Sequence, residues 1–298
     1  FFKGMHNVGI IWQYDPNLNT EQTIEHRTEC YPLLGRRVEL MIVATQIMLL
    51  DEPERKRRDL AAIIFEGDDK IGRTRLLQFL VDSFENCSQR IIHYCCQLEQ
   101  RFNEFNLLRS LLKQLLNFHS NDLTQYEREQ MILRLFDSNK SSEIYLKRNL
   151  FLLNDLLDVG FRRYQIDENQ QNSIRFYENN LTELLLHILN QLIDTPTVTN
   201  TNESNSTSNS VQRSSLLSSI SKILFFIDDI HFADESSLKH LLTLGSHNKS
   251  LLILSMKPPT NNNYDRSTSD ILKSISTDSR VYLRRLPGLE FRYLATLG

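Results

Sequence analysis

Apolar positions recur along this chain in two patterns. Continuous apolar runs cover Ala61–Glu66, Arg90–Cys96, Ile223–Asp228, Ser250–Ser255 and Val281–Leu283. Runs of this length, bounded by polar segments, predict strands buried on both faces. Elsewhere apolar residues return at every third or fourth position, which predicts helices. Such spacing runs from Gly35 to about Leu50, through Thr74–Leu80, and through Leu238, Leu241 and Leu242 with Asp234 as the N-cap. A helical stretch from about Asn103 to Leu192 carries two leucine faces: Leu107, Leu108, Leu111, Leu112, Leu115 and Leu116, then Leu152, Leu153, Leu156 and Leu157. Strands alternating with helices predict an α/β fold: a parallel sheet flanked by helices, with a helical insertion between the second and third strands and a ligand at the strand carboxyl ends.

Composition narrows this picture only a little. The 298 residues are 40% hydrophobic with a net charge of −3, which supports a buried core and gives no electrostatic case for nucleic acid. No apolar run approaches membrane-span length, so no transmembrane segment is expected. The four cysteines, Cys30, Cys87, Cys95 and Cys96, lack C-x-x-C spacing and read as reduced core thiols of a cytoplasmic protein. His93 reads as core. The charged run Asp51–Asp59 reads as a solvated loop, and Asn261–Asp265 as another loop. Residues 195–214, rich in Ser, Thr and Asn, predict a disordered surface insertion. Its two N-x-[ST] matches, at Asn202 and Asn205, read as accidents of composition.

The chemistry concentrates where the first apolar run ends. Gly67-Asp68-Asp69-Lys70-Ile71-Gly72-Arg73-Thr74 has the spacing of the phosphate-binding pattern G-x-x-x-x-G-K-[ST], with arginine at the lysine position. A strand before it and a helix after it are the context that pattern needs. Further on, Ile223–Asp228 runs into Asp229, the form of a central strand that delivers carboxylates to a Mg²⁺–phosphate site. A solvated strand tip is the competing reading of that acidic end. Arg73 keeps a positive charge, but its planar fork is bulkier than an ammonium and presents its donors differently.

The order of these pieces resembles the signal-transduction P-loop ATPases of the AAA-related class. The resemblance rests on Gly35-Arg36 with Glu39-Leu40, the loop Gly67–Thr74, the box Asp228-Asp229-Ile230-His231-Phe232-Ala233-Asp234, and the run Leu251–Ser255 ahead of Lys257-Pro258. Phe2-Lys3-Gly4 and the strand-like Ile10–Tyr14 look like the closing strand of a class III nucleotide cyclase domain. A cyclase end joined to this ATPase module is the layout of soluble (type 10) adenylate cyclases. The resemblance implies three parts: residues 1–15 as the last cyclase strand, 16–34 as a linker, and 35–298 as the NTPase core. The chain opens without Met and is expected to be a piece of a longer protein, with the cyclase metal aspartates upstream and the lid downstream.

For the site, the resemblance implies ATP and Mg²⁺. Gly67, Asp69, Lys70, Ile71, Gly72, Arg73 and Thr74 are expected to hold phosphate at the helix N-terminus. Thr74 and Asp228 are expected to hold Mg²⁺, Asp229 to orient the attacking water, and His231 to lie near it. Arg36 has two readings, a contact to the base or ribose and a solvated residue at a helix start. Lys257 stands where related ATPases commonly carry arginine. The expected outcome is an ATP-binding regulatory module in intramolecular contact with upstream cyclase domains, with turnover weakened by Arg73. The alternative is a degenerate fold kept as a scaffold.

Overall fold

The computed structural model describes residues 33–52, 60–84, 89–118, 123–136, 141–163, 174–194, 222–258 and 266–288. The chain divides into a unit of Phe1–Leu34 and a unit of Gly35–Gly298, and the elements below belong to the second. The expectations for 1–15, most of 16–34, Asp51–Asp59 beyond residue 52, 195–214 and 261–265 fall outside the described residues, as do Cys30 and Cys87.

Five strands form one sheet: β1 (Ala62–Glu66), β2 (Arg90–Cys95), β3 (Ile223–Asp228), β4 (Ser250–Met256) and β5 (Val281–Arg285). Their order is β2-β3-β4-β1-β5, and every pairing is parallel. The helices are α1 (Arg37–Leu49), α2 (Arg73–Phe84), α3 (Asn106–Leu115), α4 (Gln125–Arg134), α5 (Ser141–Arg148), α6 (Asn154–Leu157), α7 (Ile174–Asp194), α8 (Glu235–Gly245) and α9 (Arg266–Thr277). The α/β parallel sheet flanked by helices is therefore present.

Side chains alternate across each strand, so the buried runs split between two faces. Ala62, Ile64, Phe225, Ile227, Leu252 and Leu254 join one continuous core with the leucines of α3, α7 and α8. The intervening Ile63, Phe65, Leu224, Phe226, Leu251 and Ile253 are equally buried, on the face that α2 covers with Leu76, Leu77 and Leu80. Both faces being covered explains why β1, β3 and β4 read as unbroken apolar runs.

The segment between β2 and β3 is not one helical run. Among the described residues it holds α3–α7 and two short 3₁₀ turns, at Leu98–Gln100 and Leu150–Leu153. The α4 start is closed by a capping box in which Thr124 and Glu127 each accept from the other's backbone N–H. Both leucine faces expected there are buried. Two other expectations need correction. Of the two described cysteines, Cys95 is exposed and Cys96 is a core thiol, and His93 is half-buried rather than core, because β2 is an edge strand.

A parallel sheet puts all strand carboxyl ends on one edge. The chain leaves β1 toward β2 at one side of the sheet and leaves adjacent β4 toward β5 at the other. Ligands of open α/β sheets bind at this carboxyl edge.

Candidate functional site

The loop after β1 sits at the carboxyl edge of the sheet. Its first residue, Gly67, donates its N–H to the carbonyl of Met256 at the end of β4, 3.1 Å away. Lys70 (φ 65°) and Gly72 (φ 92°) both take left-handed backbone, which turns the chain into α2. The lysine adopts it against its preference, at a cost of about 1–2 kcal/mol. The loop closes tightly: a Cβ on Gly67 would lie 2.6 Å from Ile71 Cγ2. At α2, the first N–H groups have no intrahelical carbonyl to meet, and the positive end of the helix dipole faces outward there. Thr74, in that first turn, is exposed.

Arg73 points back into this loop. Its guanidinium donates through Nη1 to the carbonyl of Gly67 and through Nη2 to Asp229 Oδ1, 2.9 Å away. The side chain is 7% exposed, so the contact is shielded from water. The loop and the acidic strand end, 156 residues apart, are thereby joined. Lys257, just after β4, makes a second bridge to the same loop, with Nζ 2.7 Å from Asp69 Oδ1. That contact holds the Asp69 carboxyl below its ordinary range.

The acidic end of β3 is built with unequal parts. Asp228 is buried, and its Oδ1 accepts from the Ser255 hydroxyl and, at 3.1 Å, from the Asp229 N–H. Its Oδ2 is also buried but has no hydrogen-bond partner among the described residues. Asp229 takes left-handed backbone (φ 51°), which swings its side chain toward Arg73. Burial and the neighbouring Asp228 raise the Asp229 carboxyl above its ordinary range, and Arg73 opposes the rise. His231 is fully buried, and its Nδ1 accepts the Lys257 N–H at 3.4 Å. Burial first, then Arg73 and Lys257, push its pKa down to about 3, so the ring is neutral.

Arg36 is neither solvated nor pointed at open space. It is buried, donating to the carbonyls of Pro287 (2.8 Å) and Ile71 (2.6 Å). Beside it, Glu39 is buried and accepts from Arg284 Nε at 3.1 Å. The Gly35–Leu40 box thus ties α1 to the phosphate-type loop and to β5. Lys70 is exposed on the loop.

The structure therefore brings Gly67, Asp69, Gly72, Arg73, Asp228, Asp229 and His231 to one end of the sheet. Sequence reasoning missed Ser255, whose hydroxyl fixes Asp228, and Cys95, which the parallel register sets opposite Asp228. For Mg²⁺, the unpartnered buried Oδ2 of Asp228 is the feature that fits a cation or its water shell. No protein-family model matches the chain, and no curated protein matches it. Among the described residues, no helix is long and apolar enough to cross a membrane.

Proposed function

We propose that this domain is an ATP-binding regulatory NTPase module of the AAA-related signal-transduction class, with weak turnover, in a soluble adenylate-cyclase-like protein. One observation carries the reading. The loop Gly67–Thr74 and the acids Asp228 and Asp229 converge at the carboxyl edge of a parallel sheet, close enough for a 2.9 Å ion pair.

In this reading the N–H groups at the start of α2 take the β-phosphate. Thr74 and Asp228 would hold Mg²⁺, which neutralises charge on the phosphate oxygens when bound. Asp229 orients water, and neutral His231 shapes the buried side of that position without carrying charge. Arg73 must release Gly67 and Asp229 for the phosphates to enter, which is the physical reason for weakened turnover. The upstream cyclase domains, which would convert ATP to cyclic AMP, are the partner that the nucleotide state regulates, and the chain's place is intracellular signalling.

The scaffold reading keeps one specific observation in its favour. Arg73 already supplies a cation to Asp69 and Asp229 and a donor to the loop, so part of the acid charge is neutralised from within. Calorimetry of MgATP binding separates the two. Micromolar binding abolished in Asp228→Ala supports the regulatory module, and no heat in wild type or in Arg73→Lys leaves the scaffold.

A further inference from the structure

The end of β2 carries a group that the nucleotide reading leaves unused. The parallel register pairs Cys95 with Asp228, so the last residue of an edge strand stands against the acidic end of its neighbour. One ligand atom from each of Cys95, Asp228 and Asp229 lies within 4.8 Å of the other two. Cys95 is exposed and open to solvent, whereas Asp228 is 1% exposed and holds one oxygen with no partner among the described residues. A buried carboxylate oxygen left unpaired costs about 1–3 kcal/mol or more, so its position calls for a cation or an ordered water.

We propose that Cys95, Asp228 and Asp229 form a binding site for a thiophilic divalent cation of the zinc class, in which the Cys95 sulfur selects against Mg²⁺. One sulfur and two carboxylate oxygens make a three-ligand set with a fourth position left for water, a coordination that suits Zn²⁺. Mg²⁺ demands six hard oxygen ligands in octahedral geometry and gains nothing from sulfur. Charge also balances. A thiolate and two carboxylates are offset by a divalent ion together with the Arg73 guanidinium already seated on Asp229 Oδ1. Asp229 has a second carboxylate oxygen besides the one on Arg73. Ser255 and the Asp229 N–H, both on Asp228 Oδ1, hold the carboxylate with its second oxygen free, as outer-shell hydrogen bonds do in metal sites. On binding, the Cys95 S–H proton leaves to solvent as the sulfur–metal bond forms, with no change of oxidation state.

The site uses the same Asp228 oxygen that the nucleotide reading gives to Mg²⁺, so it is the ion site of the nucleotide-free protein. The test needs no nucleotide, and its failure leaves the ATP reading standing. The full chain is titrated with Cd²⁺ followed by thiolate-to-metal charge-transfer absorption, and with Zn²⁺ by calorimetry. The expected result is one equivalent bound with a charge-transfer band, unaffected by millimolar Mg²⁺. Cys95→Ser removes the band and weakens Zn²⁺ by about 100-fold, at least the loss that removing an outer-shell partner causes. Because Cys95 is exposed, that variant is expected to fold, and a melting curve checks it. Replacing Cys30, Cys87 and Cys96 with alanine retains the band, and Asp228→Asn weakens Zn²⁺. Absence of the band in wild type, its survival in Cys95→Ser, unchanged Zn²⁺ binding in Asp228→Asn, or displacement by Mg²⁺ each overturns the proposal.

Discussion

Two buried aspartates six residues apart, Asp228 and Asp234, are finished very differently. Asp234 is saturated: its Oδ1 accepts from the N–H groups of Phe105 and Ser237, both at 2.8 Å, and its Oδ2 from Leu107 at 3.1 Å. One carboxylate therefore caps α8, its own helix, and also closes the start of α3, where Phe105 takes left-handed backbone (φ 57°). Ser237 extends the clasp by accepting from the Leu108 N–H. Asp228 instead has one oxygen held by Ser255 and Asp229 and the other left open. A carboxylate that serves the fold is surrounded by donors, whereas the one proposed to serve a ligand keeps an oxygen without a donor among the described residues. The difference lies in the partners, because both residues are aspartates, both are buried, and both belong to the same D-D-x-H-x-A-D segment.

The largest way to break this contrast is Asp234→Ala. It leaves three backbone donors at two helix starts without acceptors, and a loss of about 4 kcal/mol is expected, measured by urea denaturation. A loss below about 1 kcal/mol would remove Asp234 from the structural side of the comparison.

Acid sharpens the ligand side through His231. The unfolded imidazole takes a proton near its ordinary 6.5, whereas the folded one does so only near 3. The unfolded state binds more protons between those values, so this contribution is complete above 6.5 and is lost as pH falls toward 3. Taking the protein from pH 6.5 to pH 5 is expected to cost about 2 kcal/mol that His231→Gln does not lose. Denaturation midpoints of both proteins at the two pH values check it, and parallel slopes would assign the acid sensitivity to other groups.

Arg73→Lys comes next in size. Lysine cannot hold Gly67 and Asp229 together with a planar fork, so the loop is freed for phosphate. The expected gain in MgATP affinity is about tenfold, equivalent to about 1.4 kcal/mol, read by calorimetry. Weaker binding in Arg73→Lys would make Arg73 a phosphate ligand rather than an obstacle.

The smallest effect belongs to Asp228→Asn, in which Oδ1 and its two donors are kept while the buried charge is removed. Stability is expected to stay within about 1 kcal/mol of wild type, by the same urea measurement used for Asp234. A loss as large as that of Asp234→Ala would mean that Asp228 is held in the fold by partners beyond Ser255 and Asp229, and the contrast would fail.

Much of the fold was legible because it is written in local pattern. The apolar runs located the five described strands to within a residue or two. Strands β1, β3 and β4 are covered on both faces and have no polar positions to spare, while the edge strands β2 and β5 carry shorter or less buried runs. The Asp234 cap was legible because a cap is a contact three residues long. Cys95 was misread for a related reason. An apolar run at the edge of a sheet has the same composition as one in its middle, and only the strand order distinguishes them.

The sequence by itself determined the order of the strands along the chain, the glycine loop after β1, the acidic end of β3 and the cap of α8, because each depends on residues near one another along the chain. Only the tertiary structure decided the rest. The order β2-β3-β4-β1-β5 and its parallel registers set Cys95 against Asp228, brought Arg73 to Asp229 and buried Arg36 between Ile71 and Pro287. Those contacts join segments far apart in the chain, and strand pairing and side-chain direction select them through burial and charge, which no local spacing encodes.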